Sequence, residues 1–160
     1  MRTGGFTLVE LLVGVLIFAF LMSAIFAVLN IGEITYNNDI CLLNLQQQAR
    51  LAMDGMVREL RQSNSSHISV VSDSEVIFRI YPEAFGAELI GPIRYYLNVA
   101  DNQIIREYPV GAEKIIANNV SNLAFSLDGG VLGIQISCTD TVRGRDLSFS
   151  LGGEVKFRNG

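Results

Sequence analysis

The sequence has few of the residues that catalysis and metal binding use. It contains one histidine, His67, and its two cysteines, Cys41 and Cys138, do not form a C-x-x-C pair. A single histidine excludes a histidine-rich metal site and an H-E-x-x-H motif, and the chain has neither G-x-S-x-G nor a G-x-x-x-x-G-K phosphate loop. We therefore predict that the protein is not an enzyme and has no catalytic residue, cofactor or metal site.

Two further absences concern partners and helix continuity. The chain has 12 Lys and Arg against 16 Asp and Glu, for a net charge of −4, and it has no basic tract. This argues against nucleic acid as a main partner. Only three prolines occur, the first at Pro82, so none interrupts a single helix from about Phe6 to Gln62.

The amino-terminal part of the chain is an apolar run from Phe6 to Leu29 whose only charge is Glu10. About 20 apolar residues cross a bilayer, whereas the apolar core of a secretory signal peptide has only about 7–15. Arg2 precedes the run, and the next basic residue is Arg50. These features predict a single-pass membrane anchor with the amino terminus in the cytoplasm and the remainder outside.

An amphipathic helix is predicted beyond the anchor. Apolar residues recur there at steps of three and four, as on one face of a helix. They are Leu42, Leu45, Ala49, Ala52, Met53, Met56, Val57 and Leu60. The serine-rich run 63–66 is expected to end this helix.

After Ser66 the apolar period changes to two, which indicates strands. The predicted strands are 75–81, 93–99, 103–108, 122–127, 131–138, 146–151 and 154–157, with a loop at 82–92. Turn residues at 100–102, 128–130 and 152–153 predict three hairpins. The fold class is therefore α+β, with the carboxyl half of the helix laid on a mainly antiparallel sheet.

A disulfide and a calcium site both stay open on these residues alone. In an oxidising exterior Cys41 and Cys138 can form a disulfide that closes a long loop, or they can stay apart. Asp101, Asn102 and Asp128 can supply oxygen ligands to calcium, but Asx residues in tight turns need no metal.

The order Gly4-Gly5-Phe6-Thr7-Leu8-Val9-Glu10 closely resembles the type IV prepilin signature. An ordinary single-span anchor would explain the hydrophobicity and the orientation, but not Gly5, Phe6 and Glu10 at these relative positions. The resemblance implies that a membrane peptidase cuts after Gly5 and methylates the new terminal amine of Phe6. The chain then divides into a cleaved leader (1–5), a transmembrane segment (6–29), the amphipathic half of a long helix (30–62) and a β-rich extracytoplasmic head (63–160).

Glu10 has two interpretations. Its carboxylate can neutralise the terminal amine of a neighbouring subunit, a role in subunit assembly that the resemblance favours. Alternatively, it can stabilise the amino terminus of its own helix through the helix dipole.

Three later segments indicate which group of pilins and pseudopilins the chain resembles. The helix end from Leu45 to Gln62 resembles J-type minor pseudopilins of type II secretion and W-type minor pilins of type IV pili. Tyr95-Tyr96-Leu97, before a hairpin that ends at Ile105-Arg106, and the closing Phe157-Arg158-Asn159 are similar to the same group. The resemblance implies a type IV pilin-like fold and a place at or near a filament tip. Many pilins have a proline in the middle of the span, and because this chain has none, a straighter anchor helix is expected.

These features predict a minor pilin or pseudopilin, held in the inner (cytoplasmic) membrane and assembled into a pilus or pseudopilus. Its partners would be a prepilin peptidase, sibling pilins or pseudopilins and an inner-membrane assembly platform. The alternative is a membrane-anchored extracytoplasmic binding module that has prepilin-type processing but joins no filament.

Overall fold

A computed structural model describes residues 7–80 and 89–157 of the chain. They form one helix and eight strands, and the chain divides into two compact units, Met1–Asp39 and Ile40–Gly160. The elements are α1 (Leu8–Leu60), β1 (Ser63–Ser72), β2 (Glu75–Ile80), β3 (Ile90–Asn98), β4 (Gln103–Glu107), β5 (Glu113–Ala117), β6 (Val120–Asp128), β7 (Val131–Val142) and β8 (Arg145–Lys156).

The first unit consists, in its described part, of the amino-terminal portion of α1. Every side chain from Thr7 to Tyr36 is exposed, although most of them are apolar. A helix that is apolar on all sides and exposed needs a lipid environment or partner helices. This unit is therefore built for surroundings other than water.

The second unit contains two antiparallel sheets. The strands β1 to β5 form a five-stranded sheet in chain order, and β6 to β8 form a three-stranded sheet. Two predicted hairpins are confirmed by their turns: Asn102 has φ 53°, and Gly129 and Gly130 have φ 53° and 80°. Glycine and asparagine are the residues that tolerate such positive φ values.

The carboxyl-terminal part of α1 belongs to this second unit and packs against its sheets. Its buried residues are Cys41, Leu45, Ala49, Ala52, Met53, Met56 and Leu60. The predicted face is confirmed, except that Leu42 and Val57 are only half-buried and lie at its margins, while Cys41 extends it. An α+β architecture of the type IV pilin kind, with a long amino-terminal helix on antiparallel sheets, is therefore present.

One hydrophobic core joins the helix to both sheets. Phe78, Ile93 and Ile104 come from the five-stranded sheet, and Leu132 and Ile136 come from the three-stranded sheet. A backbone bond also links the sheets, because the N–H of Phe125 in β6 donates to the carbonyl oxygen of Asp73 between β1 and β2 at 2.7 Å.

The third predicted hairpin, at Gly152 and Gly153, is wrong. Both glycines lie inside the continuous strand β8, and the turn before it is Arg143-Gly144. A Cβ atom at Gly153 would lie 2.9 Å from Sδ of Met53 on α1. The helix α1 and the strand β8 therefore approach each other closely at this glycine. A glycine inside a strand often indicates such an approach.

Two strands are absent from the sequence prediction. The strand β1 begins within the serine-rich run, which the sequence predicts only to end the helix, and β5 lies in a segment with no predicted structure. Ser63 at the start of β1 is buried, and its Oγ donates to the carbonyl oxygen of Arg79 at 2.6 Å. A tertiary contact thus holds a polar segment in a sheet.

The predicted loop at 82–92 is wrong at its carboxyl-terminal end, because residues 90–92 belong to β3. Its residues 82–88 lie outside the described part of the chain, as does Tyr81 at the end of the predicted strand 75–81.

Candidate functional site

The first turn of α1 is closed by Thr7 and Glu10. The backbone N–H and the hydroxyl of Thr7 both donate to Oε2 of Glu10, each at 2.9 Å. In return, the N–H of Glu10 donates to the hydroxyl oxygen of Thr7 at 3.3 Å. This is a capping box, in which two side chains satisfy backbone groups that the first turn of a helix leaves unpaired.

The capping box gives Glu10 a definite role within its own chain. Only Oε2 is used, and Oε1 accepts no hydrogen bond from the described residues. Thr7 has no role in the sequence interpretation, although the pattern T-x-x-E before an apolar run is the signal for it. The predicted peptidase site, Gly5 and Phe6, lies outside the described residues.

The helix that follows this cap has a stretch long and apolar enough to cross a membrane. None of the residues in that stretch is buried within the protein. Length and composition alone support the span, and they fit a single-pass anchor.

Cys41 and Cys138 are both buried and both free thiols in this structure. The Sγ atom of Cys41 donates to Oδ2 of Asp140 at 3.5 Å, and the same oxygen accepts a bond from Asn119. Burial raises the pKa of both thiols, and for Cys41 the neighbouring carboxylate raises the pKa further. The disulfide stays a prediction, and mass mapping without reduction tests it.

The residues considered for calcium are used in turns. Asp101 accepts a hydrogen bond from Asn98 at 2.8 Å, Asn102 adopts the positive φ of the turn, and Asp128 ends β6 at the second hairpin. In the ranges 7–80 and 89–157, no group of three or more His, Cys, Asp and Glu side chains is arranged to hold a metal ion. His67 lies half-buried on β1.

A polar network fastens α1 to the five-stranded sheet. The hydroxyl of Tyr95 on β3 donates to Oε2 of Glu59 on α1 at 2.9 Å, and Nε of Arg106 on β4 donates to the same oxygen at 2.9 Å. Tyr95 is only 2% exposed, so its hydroxyl needs this acceptor. Burial, and then the charge of Glu59, raise the pKa of Tyr95 above its ordinary value.

A second network lies on the outer face of the same sheet. Arg94 forms ion pairs with Glu75 at 2.7 Å and Glu107 at 3.3 Å, and its guanidinium lies over the ring of Tyr96. The Tyr96 hydroxyl donates to Glu113, which raises the pKa of Tyr96 to about 12. Neither network is apparent in the sequence, because each joins residues from three or more elements.

Comparison with known protein families gives a match at the amino terminus. The family described as the prokaryotic N-terminal methylation motif matches residues 1–26. No curated protein and no solved structure matches the chain.

The matched segment contains the predicted leader, the capping box and the first part of the apolar helix. This motif implies processing by a prepilin peptidase and association with a membrane, and it occurs here on a fold of the pilin kind. Motif and architecture are those of a structural protein. The motif and the fold together support a type IV prepilin-like protein.

Proposed function

We propose that the protein is a minor pilin or pseudopilin, assembled at or near the tip of a type II secretion pseudopilus or a type IV pilus. The methylation motif at residues 1–26 is the observation that carries this proposal. The J-type and W-type resemblance of the helix end and of the Tyr95 hairpin supports the minor subunit class.

Processing follows from the motif. The peptidase cuts between Gly5 and Phe6, and Phe6 becomes the methylated first residue. Its new amine carries a positive charge one residue before Thr7, at the start of the capped helix. The amino terminus faces the cytoplasm and the head lies outside, since Arg2 precedes the span and no basic residue follows until Arg50.

Glu10 serves two purposes in this proposal. Its Oε2 closes the first turn of its own helix, and its Oε1, unused among the described residues, accepts the terminal amine of a neighbouring subunit. An opposite-charge pair in an apolar environment is stronger than the same pair in water. The partners are sibling pilins or pseudopilins and an inner-membrane assembly platform.

Processing is tested by mass spectrometry of the full chain, extracted from membranes of cells that contain the prepilin peptidase. We expect Phe6 as the first residue, carrying a methyl group, and an uncut precursor for Gly5→Leu. Gly14→Leu is the matched control, because that glycine lies inside the exposed helix with open space around it. A mature wild-type chain that begins at Met1 or near Val28 would refute the prepilin assignment.

Assembly is tested by comparing Glu10→Gln with Thr7→Val. Glutamine can complete a capping box but has no charge, whereas the valine variant keeps the charge and loses the two bonds of the Thr7 hydroxyl. We expect Glu10→Gln to be cleaved normally and to lose co-purification with sibling subunits, and Thr7→Val to retain most of it. Co-purification of Glu10→Gln at the wild-type level would show that Glu10 serves only its own helix. A processed chain never found in filaments would favour the anchored binding module.

A further inference from the structure

A groove on the second unit lies between α1 and the edge strand β5. We call it the cationic groove, and it encloses about 310 Å³. Its floor is the network of Glu59, Tyr95 and Arg106. Its walls are formed by Leu51, Gly55 and Arg58 of α1 and by Lys114, Ile115 and Ile116 of β5.

The charge of this groove is opposite to that of the protein. Three cations line it, Arg58, Arg106 and Lys114, against one carboxylate, Glu59, whereas the whole chain has a net charge of −4. Glu59 is already bonded to Arg106, and Lys114 lies directly opposite Arg106 in the pairing of β4 and β5. Like charges opposite one another in a sheet are unfavourable. An additional anion in the groove would relieve this repulsion.

Arg58 and Lys114 have no acidic partner among the described residues. Both are exposed. The groove therefore has two cations available to a partner molecule.

The groove also offers a strand edge and apolar surface. The strand β5 is the last of the five-stranded sheet, and no described strand pairs with its outer side. Such an edge presents backbone N–H and C=O groups that another chain can pair with. Leu51 and Ile115 beside it are 62% and 53% exposed, so apolar side chains of both α1 and β5 flank this edge.

We propose that the cationic groove binds an extended, acidic segment of a partner protein. The segment adds to β5 as a sixth strand, which is a recurring mode of peptide recognition. Its carboxylates lie on the helix side of the sheet, against Arg58 and Lys114, and its alternate apolar side chains lie on the other side, over Ile115. An added strand can pair with the edge of β5 and can place carboxylates and apolar side chains at alternate residues. A small anion would use only the charges of the groove.

This proposal is independent of the filament assignment. It concerns residues of the head, and the amino-terminal motif takes no part in it. A wild-type chain that binds the acidic peptide but joins no filament would refute only the proposed function. A wild-type chain that joins a filament but does not bind the acidic peptide would refute only the binding proposal for the groove.

The test uses the full-length chain in neutral detergent and fluorescence anisotropy of short labelled peptides with blocked ends. The probe alternates valine and glutamate, and one comparison peptide has lysine in place of glutamate. A second comparison peptide keeps the glutamates but has alternate backbone amides methylated, which prevents strand pairing. We expect saturable binding of the acidic probe only, weakened by added salt, with no signal from detergent alone.

The test also compares two double variants that change the charge of the protein by the same amount. Arg58→Glu with Lys114→Glu should weaken binding of the acidic probe by at least about tenfold, since two attractive contacts become repulsive. The control, Arg145→Glu with Lys156→Glu, makes the same charge change at exposed positions of β8 and should leave affinity within about twofold. Equal thermal unfolding of both variants establishes that the heads are folded. Equal loss in both pairs, tight binding of the lysine peptide or undiminished binding of the methylated peptide would overturn the proposal.

Discussion

Glu59, Arg106 and Tyr95 show how single residues hold the helix and the five-stranded sheet together. Glu59 is the acceptor for both partners, at 2.9 Å each, and its side chain is partly shielded from water. Charge-assisted bonds of this kind fix geometry, because loss of the carboxylate would leave a buried hydroxyl without an acceptor. The same residues form the floor of the cationic groove. The network that positions the helix is therefore also part of the candidate binding surface.

Gly153 is a second residue on which packing depends, and its neighbour gives a matched control. We expect Gly153→Ala to lower the free energy of unfolding by about 1–2 kcal/mol, because its Cβ atom would lie 2.9 Å from Sδ of Met53 and the helix or the methionine must move. Gly152 faces outward, and a Cβ atom there would be 4.0 Å from its nearest neighbour. Urea unfolding of the two variants should therefore separate them, and equal stability would show that Met53 moves aside at no cost.

At the scale of the element, α1 is one helix with two different surroundings. Its amino-terminal residues are exposed and apolar, whereas seven residues from Cys41 to Leu60 are buried in the second unit. The first set has no protein core to stabilise, so substitutions there should affect association with lipid or partner helices. The second set contributes to the stability of the head, at about 1.5–3 kcal/mol for each large side chain buried.

Aspartate substitutions at three helix positions distinguish these roles. Met56 has no exposed surface, and Met56→Asp should unfold the head, since an unpaired buried carboxylate costs at least about 4 kcal/mol. Leu51→Asp should change thermal unfolding little, because Leu51 is exposed on the same helix. Ile34→Asp should weaken binding to sibling pilins without lowering the melting temperature. A head that stays folded with Met56→Asp, or one that unfolds with Ile34→Asp, would show that the roles of the two halves of α1 are assigned the wrong way round.

At the scale of the molecule, the compact unit Ile40–Gly160 contains both sheets and the single hydrophobic core. It has its own core without the apolar span, which is what independent folding requires. The helix segment Ile40–Leu60 is part of that unit, so a fragment must retain it. The span in turn supplies membrane attachment and processing, which the head does not need for its own stability.

We therefore expect a fragment of residues 30–160 to be soluble and to unfold in one cooperative transition. Far-ultraviolet circular dichroism reports the secondary structure of the whole unit, and near-ultraviolet dichroism of its tyrosines, two of which lie on β3, reports tertiary packing. The two melting curves should coincide, because helix and sheets share one core. A fragment of residues 63–160, which lacks the buried helix face, is the control and should not fold. Separate transitions in the longer fragment would show that the two sheets are independent.

Features that depend on local order in the chain can be predicted from the sequence. The prepilin motif, the apolar span, the helix to Leu60, its buried face and the first two hairpins follow from composition, period and turn residues close together in the chain. The capping box of Thr7 and Glu10 is equally local, and its pattern is present in the sequence.

The remaining features appear only in the folded protein, because each depends on residues far apart in the chain. The polar strand β1 is held by the bond from Ser63 to Arg79, and Gly153 occurs within a strand because Met53 approaches it from the helix. The pairing of Glu59 with Tyr95 and Arg106, and the cationic groove above them, likewise require α1, β3, β4 and β5 to meet. No periodicity records which distant side chains will be neighbours, since burial and charge at these positions are set by the packing of the whole core.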